Sequence, residues 1–341
     1  MSSPEREFLT LGIESSCDDS AVAVLRGQRD VAAELLSSQV ESHAPYGGVI
    51  PEFAARMHLE AFLPLTEEVL RRAAVREPAK EIGLIAVTAG PGLMGSLLVG
   101  VMAAKALSLA WNVPLVAVNH LEGHMFANVV SFPELAPPFL CMIVSGGHTE
   151  IVLAEDFGRY VFLGGTRDDA AGEAYDKVAK VLGLPYPGGP AVDRLAASGN
   201  PGAFDFPVPM RGSSAGIVFS FSGLKTAAVT EIGRLRAEGK TVPVEDICAS
   251  FQRAVVDSLV GKLALAVKRT GVKTVALSGG VAANSALRAA LKEQRGWNVF
   301  LPPVNRCTDN AVMIAAAGCS AYLRGVRTPI DFAPDPSWEL W

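Results

Sequence analysis

The 341-residue sequence predicts an α/β protein made of two similar halves. Three observations carry that prediction. A strand, a short polar turn and a second strand occur near the start (8–13, 14–20, 21–25) and again near the middle (139–144, 145–149, 150–154). Two strands joined by so tight a turn make a hairpin. After each hairpin the apolar period lengthens from two to about 3.6, the mark of strands giving way to helices. A third small-residue turn, Ser278-Gly-Gly-Val-Ala-Ala-Asn284, follows another strand and opens a helix.

The elements follow in order. Residues 31–40 add a third strand to the first hairpin. Leu59, Phe62, Leu63, Leu65, Val69 and Leu70 recur at helical spacing and predict a helix over 57–72. Residues 82–88 form a buried strand, Gly90-Pro-Gly-Leu-Met-Gly95 opens an apolar helix to about residue 110, and 115–118 is another strand. In the second half, helices are expected over 170–182 and 188–197. Residues 200–223, rich in Gly, Pro and Ser, read as a long loop, of the kind that is often functional. Helices over 222–237 and 244–270 and strands over 273–277 and 298–301 come next. Asp309 opens the final helix, to about residue 324, and the tail holds Pro329, Pro334 and Pro336 and reads as irregular.

Composition narrows the class. Half of the residues are apolar and 19% are charged, so the chain is globular rather than disordered. The best membrane candidate, 97–118, is interrupted by Lys105, Asn112 and Pro114, which predicts no transmembrane helix. The stretch 1–7 is polar and runs straight into a strand, unlike a secretory signal. Cys17, Cys141, Cys248, Cys307 and Cys319 are scattered without a Cys-x-x-Cys, as expected of reduced thiols in a cytoplasm. A net charge of -5 argues against a dedicated DNA binder, so nucleic-acid contact would need a local patch or a partner. Arg71-Arg72, Lys268-Arg269 and Arg288/Lys292/Arg295 are candidate patches, though solvated helix faces explain them equally well.

His120-Leu-Glu-Gly-His124 is the most specific short stretch. On a helix its two imidazoles lie one turn apart on one face, within reach of one metal ion. A zinc peptidase would need Glu directly after the first His; Leu121 stands there, and Glu122 points elsewhere. A third ligand must come from afar. Asp309, in Cys307-Thr-Asp-Asn310, is the best candidate, although its place at a helix start also suits an ordinary N-cap. The three turns, 14–20, 145–149 and 278–284, expose backbone N–H groups that can face phosphate, and their layout is that of the actin-like, sugar-kinase and heat-shock-ATPase superfold. Gly90-x-Gly92-x-x-Gly95 imitates a dinucleotide fingerprint, but Pro91 stiffens it and the next acid, Glu122, is too distant for a ribose. Asp168 and Asp169 read as acids in a first helical turn; Asp176 lies deeper. Asp193 suits a ribose or solvent, and Asn284 a ligand or a helix cap.

Together Gly12-Ile-Glu-Ser-Ser-Cys-Asp18, His120-Leu-Glu-Gly-His124, Val144-Ser-Gly-Gly-His-Thr149, Gly172-Glu-Ala-Tyr-Asp-Lys177, Pro187-Gly-Gly-Pro190, Ser278-Gly-Gly-Val-Ala-Ala-Asn284 and Cys307-Thr-Asp-Asn310 resemble the bacterial TsaD family, the tRNA adenosine threonylcarbamoyltransferases. The match runs in order from about residue 11 to 323. Members of this family once carried the name O-sialoglycoprotein endopeptidase, or glycoprotease. The resemblance implies two duplicated actin-like lobes (the ASKHA, RNase H-like fold) with the active site in the cleft between them. The lobes would span 1–135, completed by the helix at about 309–325, and 136–308, followed by a tail over 326–341. It implies transfer of threonylcarbamoyl from threonylcarbamoyl-AMP to the exocyclic amine of the adenosine 3′ of the anticodon, in tRNAs reading codons that begin with A. By the same match His120, His124 and Asp309 hold one divalent metal, iron or zinc, while Ile143, Val144, Ser145, Gly146, Gly147, Asp176, Gly189, Asp193 and Asn284 bind the donor. Asp18 or Asp19 can accept the amine proton. Many members have Glu where this chain has Asp19, so the carboxylate sits on a shorter arm. The implied partners are tRNA, a smaller degenerate homologue (TsaB-type) and an ATPase (TsaE-type), in the cytoplasm and without a membrane; alone, the chain could pair with itself. A metallopeptidase and an ATP-dependent kinase or ATPase of the same superfold are the competing readings.

Overall fold

The computed structural model describes residues 8–208, 210 and 216–341. The polar stretch 1–7 and part of the loop expected over 200–223 lie outside the described residues. Two compact units emerge: Met1–Glu134 with Asp309–Leu340, and Leu135–Thr308 with Trp341.

The first unit contains β1 (Leu9–Glu14), β2 (Asp19–Arg26), β3 (Asp30–Ser38), β4 (Ile82–Gly90) and β5 (Leu115–Asn119), in the order β3-β2-β1-β4-β5. Its helices begin with α1 (Val40–His43), α2 (Pro51–Arg72), α3 (Pro78–Glu81), α4 (Met94–Trp111) and α5 (His120–Ser131). The second contains β6 (Phe139–Val144), β7 (Thr149–Asp156), β8 (Arg159–Gly165), β9 (Thr274–Ser278) and β10 (Asn298–Phe300), with α6 (Ala171–Leu182), α7 (Gly188–Ala196), α8 (Ser222–Ala237), α9 (Val244–Thr270) and α10 (Ser285–Lys292). Helix α11 (Ala311–Leu323) then returns to the first unit.

The second sheet runs β10-β9-β6-β7-β8, which is the first sheet's order strand for strand. In each, an antiparallel hairpin and a third antiparallel strand are followed by two parallel strands, β1–β4–β5 and β6–β9–β10. The duplication expected from the hairpins is therefore present in the topology. Strand β8 had no counterpart in the sequence pattern; it is an edge strand with Gly164 and Gly165 at its end. Helix α2 starts at Pro51 rather than residue 57, because Pro51 occupies the first turn, where its missing N–H costs nothing.

Alternation along β1 assigns the faces. Leu11 and Ile13 join Phe62 and Val69 of α2 and Val101 of α4 in one core cluster. Gly12 faces the other way, where a Cβ would lie 2.4 Å from the Ala311 carbonyl oxygen of α11. Helix α11 is buried nearly all round and packs on β1, β4 and α5. Its small residues permit that approach: a Cβ on Gly318 would meet the Cβ of Ala86 at 2.3 Å. Each Leu or Ile buried in such a core contributes about 1.5–3 kcal/mol over its exposed state.

Helix α4 is long and apolar enough by composition to cross a membrane. One face, with Leu97, Gly100, Val101 and Ala104, is buried in the first unit. Its other face leaves Met94, Leu98, Met102 and Leu109 exposed, and α2, which packs on α4, leaves Leu59 and Leu63 exposed.

Candidate active site

Helix α5 starts where β5 ends, and Asn119 caps it by accepting the Leu121 N–H at 2.9 Å. His120 and His124 therefore occupy successive turns, with ring centroids 4.6 Å apart. Gly123 between them allows α5 to lie against α11, since a Cβ there would sit 2.6 Å from Ile314 Cδ1. That contact brings the start of α11 to the His pair. The cap of α11 is Asn310, which accepts the Met313 N–H at 3.0 Å. Contrary to the expectation from the sequence, Asp309 does not open the helix, and it does not cap it. Its Oδ1 lies 3.4 Å from His120 Nε2 and 3.3 Å from His124 Nε2.

The donor set fits a divalent cation. One nitrogen from each histidine and one carboxylate oxygen lie within 4.8 Å of one another. Bonds of about 2.1 Å at tetrahedral angles separate donor atoms by about 3.4 Å, close to the spacing seen here. Two imidazoles and a carboxylate suit zinc or iron better than magnesium or calcium, which prefer all-oxygen shells. Cys17 does not belong to this group, and burial first, then Asp18, pushes its thiol well above the usual range.

Glu14 completes the arrangement, and sequence reasoning missed it. Its side chain is fully buried, and Oε2 lies 3.2 Å from His120 Nδ1. The same carboxylate accepts from Thr88 Oγ1 and the Ser16 N–H. A carboxylate on one ring nitrogen holds the proton there and turns the other nitrogen, unprotonated, toward a metal. In the metal-free protein, burial alone would depress the His120 pKa, but Asp309 and Glu14 outweigh it and raise it to about 10. Burial would raise Glu14 and Asp309; the histidines reverse this and lower both. In the sequence Glu14 reads only as the first residue of the polar turn and as part of the Gly12–Asp18 motif, whereas in the structure it ends β1 with its side chain buried.

Asp18 ends the β1–β2 turn of the same unit, and Asp19 opens β2. Burial, the largest cause, lifts Asp19 to about 7, with Asp309, Asp18 and Glu14 adding to it and a Ser38 hydrogen bond opposing. Asp19 Oδ1 is buried without a hydrogen-bond partner among the described residues. Asp18 is raised as well, again chiefly by burial. His58 braces the turn, with Nδ1 2.6 Å from Ser20 Oγ and Nε2 2.9 Å from the Cys17 carbonyl oxygen.

The remaining sequence-selected residues lie in the second unit. Ile143 and Val144 have fully buried side chains in β6, so a ligand can meet only their backbone. Ser145 Oγ accepts the His148 N–H at 3.0 Å, closing the turn. A Cβ on Gly146, Gly147 or Gly189 would meet nothing within 4 Å, so packing does not demand glycine there and ligand access remains. Asp176 accepts the Gly188 N–H, and Asp193 holds Ser285 through its N–H and hydroxyl. Asn284 caps α10 and donates to Gln252 Oε1 at 2.7 Å. Asp168 and Asp169 precede α6 rather than occupy its first turn. Asp168 accepts from Ser220 Oγ and the Phe221 N–H, while Asp169 pairs with Lys225 and Lys177. Of the basic clusters, Arg71 and Arg72 both pair with Glu68, and Arg288 is tied to the carbonyls of Ala282 and Pro302.

The position that follows the first histidine holds no peptidase base in the structure. Leu121 is buried in the core, and Glu122 faces Arg324 at 3.4 Å.

Fold and site together define an actin-like α/β protein with a His–His–Asp group at the head of a helix. Solved structures agree on the fold: that of T.kodakarensis HypF superposes with TM-score 0.63 at 18% identity, covering 94% of this chain and 48% of that one. The Acidaminococcus fermentans (R)-2-hydroxyglutaryl-CoA dehydratase component A gives 0.55 at 18% identity, covering 93% and 98%. Residues 30–316 match the family model of TsaD, tRNA N6-adenosine threonylcarbamoyltransferase. Two relatives of that name are similar along nearly their whole length. The Anaeromyxobacter dehalogenans (strain 2CP-C) protein is 50% identical, covering 97% of this chain and 99% of its own. The Bacillus subtilis (strain 168) protein is 46% identical, covering 99% and 97%. The chain belongs to the TsaD family and is an enzyme of tRNA modification, a threonylcarbamoyltransferase.

Proposed function

We propose that the chain transfers the threonylcarbamoyl group of threonylcarbamoyl-AMP to the exocyclic amine of the adenosine 3′ of the anticodon, in tRNAs reading codons that begin with A. The amine nitrogen forms a bond to the carbamoyl carbon, the carbon–oxygen bond to phosphate breaks, and AMP leaves with that electron pair. The amine loses one proton. The observation that carries this reading is the His120–His124–Asp309 group with Glu14 behind it, in a chain of this family.

His120, His124 and Asp309 would hold one divalent metal, iron or zinc. When bound, it supplies Lewis-acid polarisation and a grip on the threonyl carboxylate and hydroxyl. The donor is already an activated mixed anhydride, so the amine needs positioning more than a strong base. Asp19 is the proton acceptor we favour over Asp18, because a carboxylate raised to about 7 is about half deprotonated at neutral pH and more basic than an ordinary one. The exposed N–H groups of the turn after Ser145 are suited to charge on the phosphate or carbonyl. With Ile143, Val144, Gly146, Gly147, Asp176, Gly189, Asp193 and Asn284 they would form the donor site.

The partners we propose are tRNA, a smaller homologous TsaB-type subunit and a TsaE-type ATPase, in the cytoplasm. The exposed apolar face of α2 and α4 supports a protein partner there. The test mixes the protein, partner subunits, threonylcarbamoyl-AMP and unmodified tRNA, and looks for threonylcarbamoyladenosine and AMP by nucleoside mass spectrometry. No product with partners that support a known active relative would overturn the reading.

A further inference from the structure

The glycine loop at 90–95 and the C-terminal residues have no part in the chemistry above, yet they meet. A Cβ on Gly90 would lie 1.9 Å from the Asp335 carbonyl oxygen. The Asp335 N–H donates to the Ala89 carbonyl at 2.8 Å, and the Gly92 N–H donates to that of Pro336 at 3.2 Å. The backbone N–H that would face a phosphate in a dinucleotide site is thus occupied by the chain's own tail. Further back, the Thr328 N–H donates to the Leu115 carbonyl and Thr328 Oγ1 accepts the Ala117 N–H. Lys105 donates to the Phe332 carbonyl and lies 4.5 Å from the centroid of its ring. The tail passes Leu115 and Ala117 of β5, reaches the end of β4 at Ala89 and arrives at Trp338, whose carbonyl accepts from Asn119 Nδ2 at 3.0 Å.

Asn119 is the cap of α5, so its amide has both edges engaged: Oδ1 with the Leu121 N–H and Nδ2 with Trp338. It is 2% exposed, which leaves little room for water to replace either bond. Capping alone is served equally by Ser or Asp. An amide carries its acceptor and its donor on separate atoms, so one edge caps the helix while the other reaches the Trp338 carbonyl; a Ser hydroxyl can also donate, but its single oxygen sits about one bond short of the amide nitrogen and cannot hold both contacts.

We infer that residues 328–338 are a strap that positions the first turn of α5, and that Asn119 is the positioning residue that transmits it to His120 and His124. The inference rests on the metal reading of that pair. Full-length Asn119→Ser keeps a preferred cap and withdraws the donor from the Trp338 carbonyl, because the shorter side chain does not reach it. It is titrated with Zn²⁺ against a chromophoric chelator, while hydrogen exchange is followed in peptides covering 119–126 and 328–338. The expected result is a cooperative melt, zinc affinity about tenfold weaker, and faster exchange in both peptides. A chain ending at Pro334 should lose affinity similarly, and adding Asn119→Ser to it should change nothing more. Wild-type zinc affinity together with wild-type exchange in folded Asn119→Ser overturns the strap. If His124→Ala leaves zinc affinity unchanged, it is the metal reading that fails, and the exchange data still decide the strap.

Discussion

Replacing Glu14 by Gln asks whether the buried carboxylate sets the state of His120. Gln keeps the shape but has one acceptor edge where Glu14 had two. If its oxygen takes the Ser16 N–H, its amino group faces Thr88 and His120 Nδ1. The Thr88 hydroxyl can rotate to accept; His120 Nδ1 must then accept too, which moves the imidazole proton to Nε2, the nitrogen 3.4 Å from Asp309. That proton has to leave before a metal can bind. The loss is one charge-assisted hydrogen bond, about 1.5–3 kcal/mol. This corresponds to roughly 10- to 100-fold in metal affinity, the usual effect of removing a ligand's outer partner. The assay is zinc competition against a chelator at fixed pH, on protein whose cooperative melt shows it folded. Affinity within twofold of wild type would refute the argument, because Glu14 would then be a buried charge with no influence on the ligand beside it.

Three further outcomes follow from the structure. The metal-free protein should lose thermal stability as pH rises from about 6.5 toward 10: His120 is raised to about 10 on folding, so its favourable charge is complete at low pH and lost as it deprotonates. A melting temperature flat across that range would contradict this. Asp19 is raised to about 7, so its burial costs stability increasingly as pH climbs above the ordinary carboxylate range. Asp19→Asn should therefore melt higher than wild type at pH 8, yet transfer more slowly in single turnover and without the limb near pH 7; an unchanged pH–rate profile would remove Asp19 as proton acceptor. Leu59→Glu and Leu109→Glu alter side chains 72% and 70% exposed, so the isolated chain should change by no more than about 0.5 kcal/mol while a protein partner is lost from α2 and α4. Retention of the partner in gel filtration would place its contact elsewhere.

Local pattern revealed much of the fold. Hairpin periodicity, the small-residue turns and the long amphipathic helices depend on neighbours in sequence, and most elements fell within a few residues of their expected bounds. Where they did not, a specific contact intervened. Pro51 extended α2 backward, Asn310 took the cap from Asp309, and edge strand β8 exists because β7 offers it hydrogen bonds. The candidate site was legible as residue types: two histidines four apart, and acidic residues near helix starts. What Asp168, Asp169 and Asn284 bond to was not, since Ser220, Lys225 and Gln252 lie tens of residues away in the chain.

The sequence by itself determined that His120 and His124 would share a helix face, because four residues are about one turn. It also left the position after His120 without a zinc peptidase's base, because Leu121 cannot carry a proton. Only the tertiary structure decided that Asp309 would join them, that Glu14 would stand behind His120, and that the chain's own tail would occupy the loop of Gly90 and Gly92. Those three depend on α11 lying close against α5 and the sheet, and on a tail returning across β4 and β5. Each joins residues at least a hundred positions apart, where periodicity carries no information and only the packing of small side chains sets the distance.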